Sequence, residues 1–160
     1  MNPIHSLRSA VAPSLAVAIV ALGGITGTAH AATNHHPILA QTLVEHTLAM
    51  HEEATEIGIS VRTSRGCRSI ASTDSGDIGE KCEREDIAVM RTRKPVAQKE
   101  SDGFDVTVPL QDAAGGFVGA VGIEFGLKPG QTTASVITQA EAIAKEMASQ
   151  IPSKASLSRR

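Results

Sequence analysis

The sequence predicts an α+β domain, with helices laid on a mostly antiparallel sheet. Three observations carry that reading. Apolar residues repeat with a helical period near both ends of the chain: Leu39, Leu43, His46 and Met50 form one stripe, and Val136, Ala140, Ile143 and Met147 another. Between them the period changes to alternation, as in Ile57, Ile59 and Val61, or Phe104, Val106, Val108 and Leu110. The later alternating runs are joined by short Gly-rich turns, which link antiparallel neighbours.

The first 31 residues read as a secretory signal peptide. Arg8 charges the n-region, Leu15 to Leu22 is a short apolar core, and Ala29-His30-Ala31 has the small-x-small cleavage pattern. A membrane anchor is the alternative, but the apolar run falls short of the ~20 residues that span a bilayer. Residues 32–36 form a flexible start. Residues 37–151 form one domain, a length that suits a single core. Residues 152–160 are expected to be a disordered tail.

Within the domain, Pro37 to Ala54 is the first helix. Ile57 to Val61 is the first strand, Ser64-Arg65-Gly66 a turn, and Arg68 to Ser72 the second strand. Asp74 to Gly79 is a polar loop. Glu83, Glu85 and Asp86 open a short helix, where acids suit the positive end of the helix dipole. Pro95 ends it. Val96 to Lys99 is the third strand and Phe104 to Leu110 the fourth, with Pro109 pointing to an edge or bulge. Asp112 to Gly116 turns into the fifth strand, Phe117 to Phe125. One face of that strand carries only Val118, Ala120, Gly122 and Glu124, so small residues leave room for something to approach. Thr132 or Thr133 caps the last helix, and Pro152 follows its end.

Composition excludes several functions. The formal charge is −2, moving to about −3 without the signal, and no basic block favours nucleic acid. There is no Trp or Tyr and only three Phe, so a base-stacking platform or an aromatic cage is not expected. G-x-S-x-G, H-E-x-x-H and a phosphate loop are absent, and no catalytic residue is assigned. No resident cofactor or metal is expected either. Asp74, Asp77 and Glu80 have the chemistry to ring calcium, but their spacing does not match an EF-hand loop and they read as solvated acids. In an exported chain Cys67 and Cys82 tend to be bridged, with two free buried thiols as the alternative.

The order of elements and three stretches resemble the PAS-like extracytoplasmic sensor domains of the Cache (PDC) type. The stretches are Ile70-Ala71-Ser72 running through a polar loop to Asp77-Ile78-Gly79, Glu85-Asp86-Ile87 leading to Thr92-Arg93-Lys94-Pro95, and Leu110 through Ile123. Arg93 stands where many relatives carry Gly. The resemblance implies a five-stranded antiparallel sheet with a long N-terminal helix, a short middle helix and a C-terminal helix. It also implies a pocket on the second face of the sheet, beneath the segment between the second and third strands. Such domains bind small molecules, often carboxylates or amino acids, and feed a membrane signal. The chain carries no membrane helix or kinase region after Ile151, so a standalone exported copy, periplasmic or secreted, is expected to act through a receptor or signalling partner.

On that resemblance, Arg62, Arg68, Ser72, Thr73, Arg91 and Glu124 flank the pocket and point to a small anionic or carboxylate ligand. Arg62 could grip a carboxylate with two hydrogen bonds, or simply pair with Glu124 across neighbouring strands. His46 reads as a core histidine on its apolar stripe. Two other functions remain open: a secreted profilin-like haem protein using His46, His51 or a Met as axial ligand, and an interaction domain without ligand that leaves room for a homodimer.

Overall fold

The computed structural model of the chain describes residues 38–159. The expected signal peptide and the flexible start lie outside them. Helix α1 spans Leu39–Met50, followed by β1 (Ala54–Thr63), β2 (Gly66–Ser72), α2 (Arg84–Thr92), β3 (Val96–Lys99), β4 (Gly103–Gln111), β5 (Phe117–Gly126) and α3 (Thr133–Ser149). The five strands form one antiparallel sheet in the order β2-β1-β5-β4-β3. The expected α+β class and five-stranded sheet are both present.

Alternation sorts the strand residues between two faces. Ile57 and Ile59 of β1, Val106, Val108 and Leu110 of β4, and Val121, Ile123 and Phe125 of β5 are buried in one core with α1 and α3. Each such side chain contributes roughly 1.5–3 kcal/mol of burial. Thr132 caps α3, its hydroxyl accepting a hydrogen bond from the Ser135 amide at 3.1 Å. Pro109 sits on β4 opposite Ala120, beyond the Val96–Thr107 pair at which β3 begins, so its missing N–H costs no ladder bond to β3.

Two expectations are corrected. The buried positions of α1 are Ala40, Leu43, Val44 and Thr47; of the expected stripe Leu43 is buried, whereas His46 is exposed. The helix ends at Met50, which is left 67% exposed, and the smaller Ala40 and Thr47 face the core. The C-terminal tail is not loose. Lys154–Ser158 forms a 3-10 helix, Leu157 is fully buried, and the Arg159 carbonyl accepts a 3.0 Å hydrogen bond from the Leu39 amide. Those contacts repay the ordering of a short apolar-bearing tail.

Helix α2 lies on the other face of the sheet. Val89 and Met90 pack there with Ala120, Phe117 and a Cys67–Cys82 disulfide. The helix stops at Arg93, whose φ of 60° is the left-handed conformation that a tight C-cap demands. Arg93 holds it without glycine because its guanidinium stacks 3.3 Å from the Phe117 ring centroid and donates to the Met90 carbonyl.

Candidate functional site

The second face is open where β1, β5 and β4 leave their side chains short. A cavity of about 150 Å³ lies there, walled by the segment between β2 and α2. Strand register builds its floor in rows. Thr107, Gly122, Gly58 and Ser72 stand opposite one another across β4, β5, β1 and β2. The next row is Asp105, Glu124 and Glu56 across β4, β5 and β1. The glycines keep the floor bare: a Cβ on Gly122 would meet no atom within 4 Å.

The lining is acidic. Glu56, Asp77, Glu80, Glu83, Asp86, Asp105 and Glu124 face the cavity with a single amine, Lys81. Seven of the chain's 17 acids therefore gather at one site. Among the described residues none of the seven pairs with a lysine or arginine. Like charges directly opposite on neighbouring strands destabilise a sheet, so the row carries an energetic cost.

The protonation behaviour follows. Burial, then a hydrogen bond with Asp77 and the charge of Glu124, raises the Glu56 carboxyl to about 7. Burial, with the charges of Glu83 and Glu124, raises Asp105 to about 6. Glu83 and Glu124 are also raised, chiefly by burial and then by neighbouring acids. Asp86 is raised by burial against opposing hydrogen bonds, because it serves structure. It accepts from the Ser60 hydroxyl at 2.9 Å and from the Glu83 amide at 3.2 Å, pinning the first turn of α2 to β1.

The expected site residues separate into two groups. Ser72 and Glu124 line the cavity, and Ser72 donates to Glu56 at 3.3 Å. Thr73 does not; its hydroxyl accepts from the Ile57 amide at 3.0 Å and extends the sheet edge. Arg62, Arg68 and Arg91 do not line it either. The expected Arg62–Glu124 pair is absent, because Glu124 stands opposite Glu56 and Arg62 opposite Cys67. Strands that run antiparallel put the end of β5 against the start of β1, so the two residues lie at different ends. The lining therefore has the opposite charge from that expected of an anion site. Glu56, Thr107 and Asp105 were missed. Glu56 and Asp105 are polar positions of amphipathic strands, indistinguishable by pattern from solvated ones.

Oxygens of Glu56, Asp74 and Asp77 lie within 4.8 Å of one another, a hard-oxygen set of the kind divalent cations use. Glu80 is not part of that group. His51 lies elsewhere, with one ring nitrogen 3.1 Å from Glu53 and the other 3.0 Å from Glu146.

No protein-family model matches the chain, and no curated protein does. Solved structures match in fold. The GAF domain of an Acinetobacter phosphoenolpyruvate-protein phosphotransferase superposes with a TM-score of 0.51 at 12% identity, over 71% of this chain and 77% of that one. The GAF domain of a two-component sensor histidine kinase from Bacillus halodurans gives 0.50 at 10% identity, over 69% and 91%. The repressor BlcR from Agobacterium tumefaciens gives 0.49 at 12% identity over 69% of this chain, which spans 66% of that protein's length. The architecture is GAF/PAS-like, and at these identities the likeness concerns the fold alone.

Proposed function

We propose that this chain is an exported, non-catalytic small-molecule-binding module that acts through a partner, as the Cache-type sensors it resembles do. The observation that carries the proposal is the cavity of about 150 Å³ on the second face of the sheet, beneath the segment between β2 and α2. Gly58 and Gly122 leave room on the floor for a small ligand, and the polar groups around them can fix its orientation. Export is supported by the signal-like residues 1–31 and by the Cys67–Cys82 bridge, since disulfides persist in oxidising compartments. The acids of the lining, against one lysine, argue against the small carboxylate ligand that the arginines had suggested.

The haem alternative has less support. His46 is exposed on α1, and both ring nitrogens of His51 are engaged by carboxylates. A thermal-shift screen of the purified protein tests the proposal, with amines, carboxylates, amino acids, sugars and haem as panels. A ligand that binds only the folded state raises the melting temperature. A hit that is lost in Gly122→Val, which fills the floor of the cavity, is the expected result. A panel without any hit counts against the module, and a Soret band lost in His51→Ala would favour haem.

A further inference from the structure

The ligand's chemical class can be read from the cavity floor, and this step rests on the ligand-binding reading above. We infer that the cavity takes a small organic cation bearing N–H donors, such as a primary amine or short diamine, held by Asp105, Glu124 and the Thr107 hydroxyl.

The acidic row alone would not carry this. The independent observation is Thr107. It lines the cavity and is only 4% exposed; no side-chain hydrogen bond of its hydroxyl is found among the described residues, and since none of their fully buried side-chain N or O atoms lacks a partner, the hydroxyl opens into the cavity. A hydroxyl that opens into a cavity without a protein partner keeps its hydrogen-bonding capacity for a ligand group arriving there. Thr107 stands two residues from Asp105 on β4, on the same face, and Glu124 is the cross-strand neighbour of Asp105. The three acceptors thus converge from two adjacent strands. An ammonium group has three N–H donors and no acceptor, which matches three acceptors in number and sign.

Other ligand classes fit less well. An anion meets several carboxylates and one amine. A quaternary ammonium has no N–H to give the hydroxyl, and no aromatic ring lines the cavity to replace it. A bare divalent ion needs far less than 150 Å³, and the closest oxygen set for it, Glu56 with Asp74 and Asp77, involves two exposed loop acids rather than Thr107. Gly58 and Gly122 put no side chain into the remaining space, which leaves room for a short methylene chain.

Titration calorimetry at about pH 8, where the row is ionised, tests the inference. The probes are 1,4-diaminobutane, tetramethylammonium, succinate and calcium chloride, each alone. Binding of 1,4-diaminobutane is expected, with tetramethylammonium weaker. Asp105→Asn and Thr107→Val should each weaken the diamine by about tenfold or more, the loss of a charge-assisted bond or of one acceptor. Asp105→Asn should melt no lower than the parent, so lost binding is not lost folding. The inference is overturned if the diamine does not bind, or binds Asp105→Asn unchanged. If succinate or calcium binds instead and Gly122→Val abolishes it, the module reading survives while the amine class falls. If no probe binds and a wider screen is also silent, both fall.

Discussion

At the scale of single residues, Asp105 and Glu124 do something a sequence pattern alone could not reveal. Each sits at a position that an amphipathic strand would give to solvent, yet register sets them side by side with Glu56. Such an arrangement costs stability, and departures of this kind are expected at functional sites. The consequence is measurable. Glu124→Gln or Asp105→Asn should raise stability by a few tenths to about 1 kcal/mol, the scale of a cross-strand like-charge pair. Denaturant midpoints at neutral pH check this, and a loss of stability in both variants would mean the row is held by partners not evident in its geometry. Ser72 entered through the resemblance, and it lies in the cavity wall. Glu56 and Thr107 were not legible, because only strand pairing tells which of many outward residues share a cavity.

At the scale of elements, two glycines of β5 separate packing from function. A Cβ on Gly119 would lie 2.4 Å from the Ser60 carbonyl oxygen, so Gly119→Ala must push β5 and β1 apart. A cost of about 1–3 kcal/mol is expected, by overpacking. Gly122→Ala meets open space and should be neutral or stabilising by up to about 1 kcal/mol, since Gly weakens a strand. Thermal melts of the two variants should move in opposite directions or differ clearly. The disulfide acts on the neighbouring wall. It joins β2 to the start of α2 and closes the loop that carries Ser69, Ser72, Asp77, Glu80 and Lys81 of the lining. Replacing both cysteines by alanine should cost on the order of 3 kcal/mol in the chain-entropy model for a loop of this length. Reduced and oxidised protein compared by urea unfolding would show it. The stretch from Asp74 to Gly79, which sequence reads as a solvated turn, is mostly that: Asp74 accepts from the Gly76 amide at 2.8 Å. Asp77 alone of its acids turns to the cavity.

At the scale of the whole molecule, titration couples the site to stability. Glu56 and Asp105 hold their protons to about 7 and about 6 when folded, above the ordinary carboxylate range. Between that range and about pH 7 the folded chain binds more protons than the unfolded one, so stability falls as pH rises. His51 acts in the same direction. Burial lowers its pKa, but hydrogen bonds with Glu53 and Glu146 outweigh burial and raise it. Its contribution is full below the ordinary 6.5 and is lost as pH rises through the higher folded value. Glu53 opposes at the acid end: its lowered pKa gives stability above 4.5 that is lost as pH falls through its folded value. The melting temperature should therefore be highest near about pH 5 and decline toward about pH 8, and Glu56→Gln should flatten the slope. An increase from pH 5 to 8 would contradict the assignment. Removing residues 153–160 should also cost about 1.5–3 kcal/mol, because Leu157 is fully buried. What the sequence determined by itself was the set of elements and which face of each strand is apolar, since local periodicity and turn chemistry depend on neighbours along the chain. The tertiary structure alone decided which polar residues meet, the sign of the cavity's charge, the side of α1 that is buried and the docking of the tail. Those depend on register and packing between segments far apart in sequence, and a one-residue shift of register or a 100° turn of a helix leaves the sequence pattern looking the same.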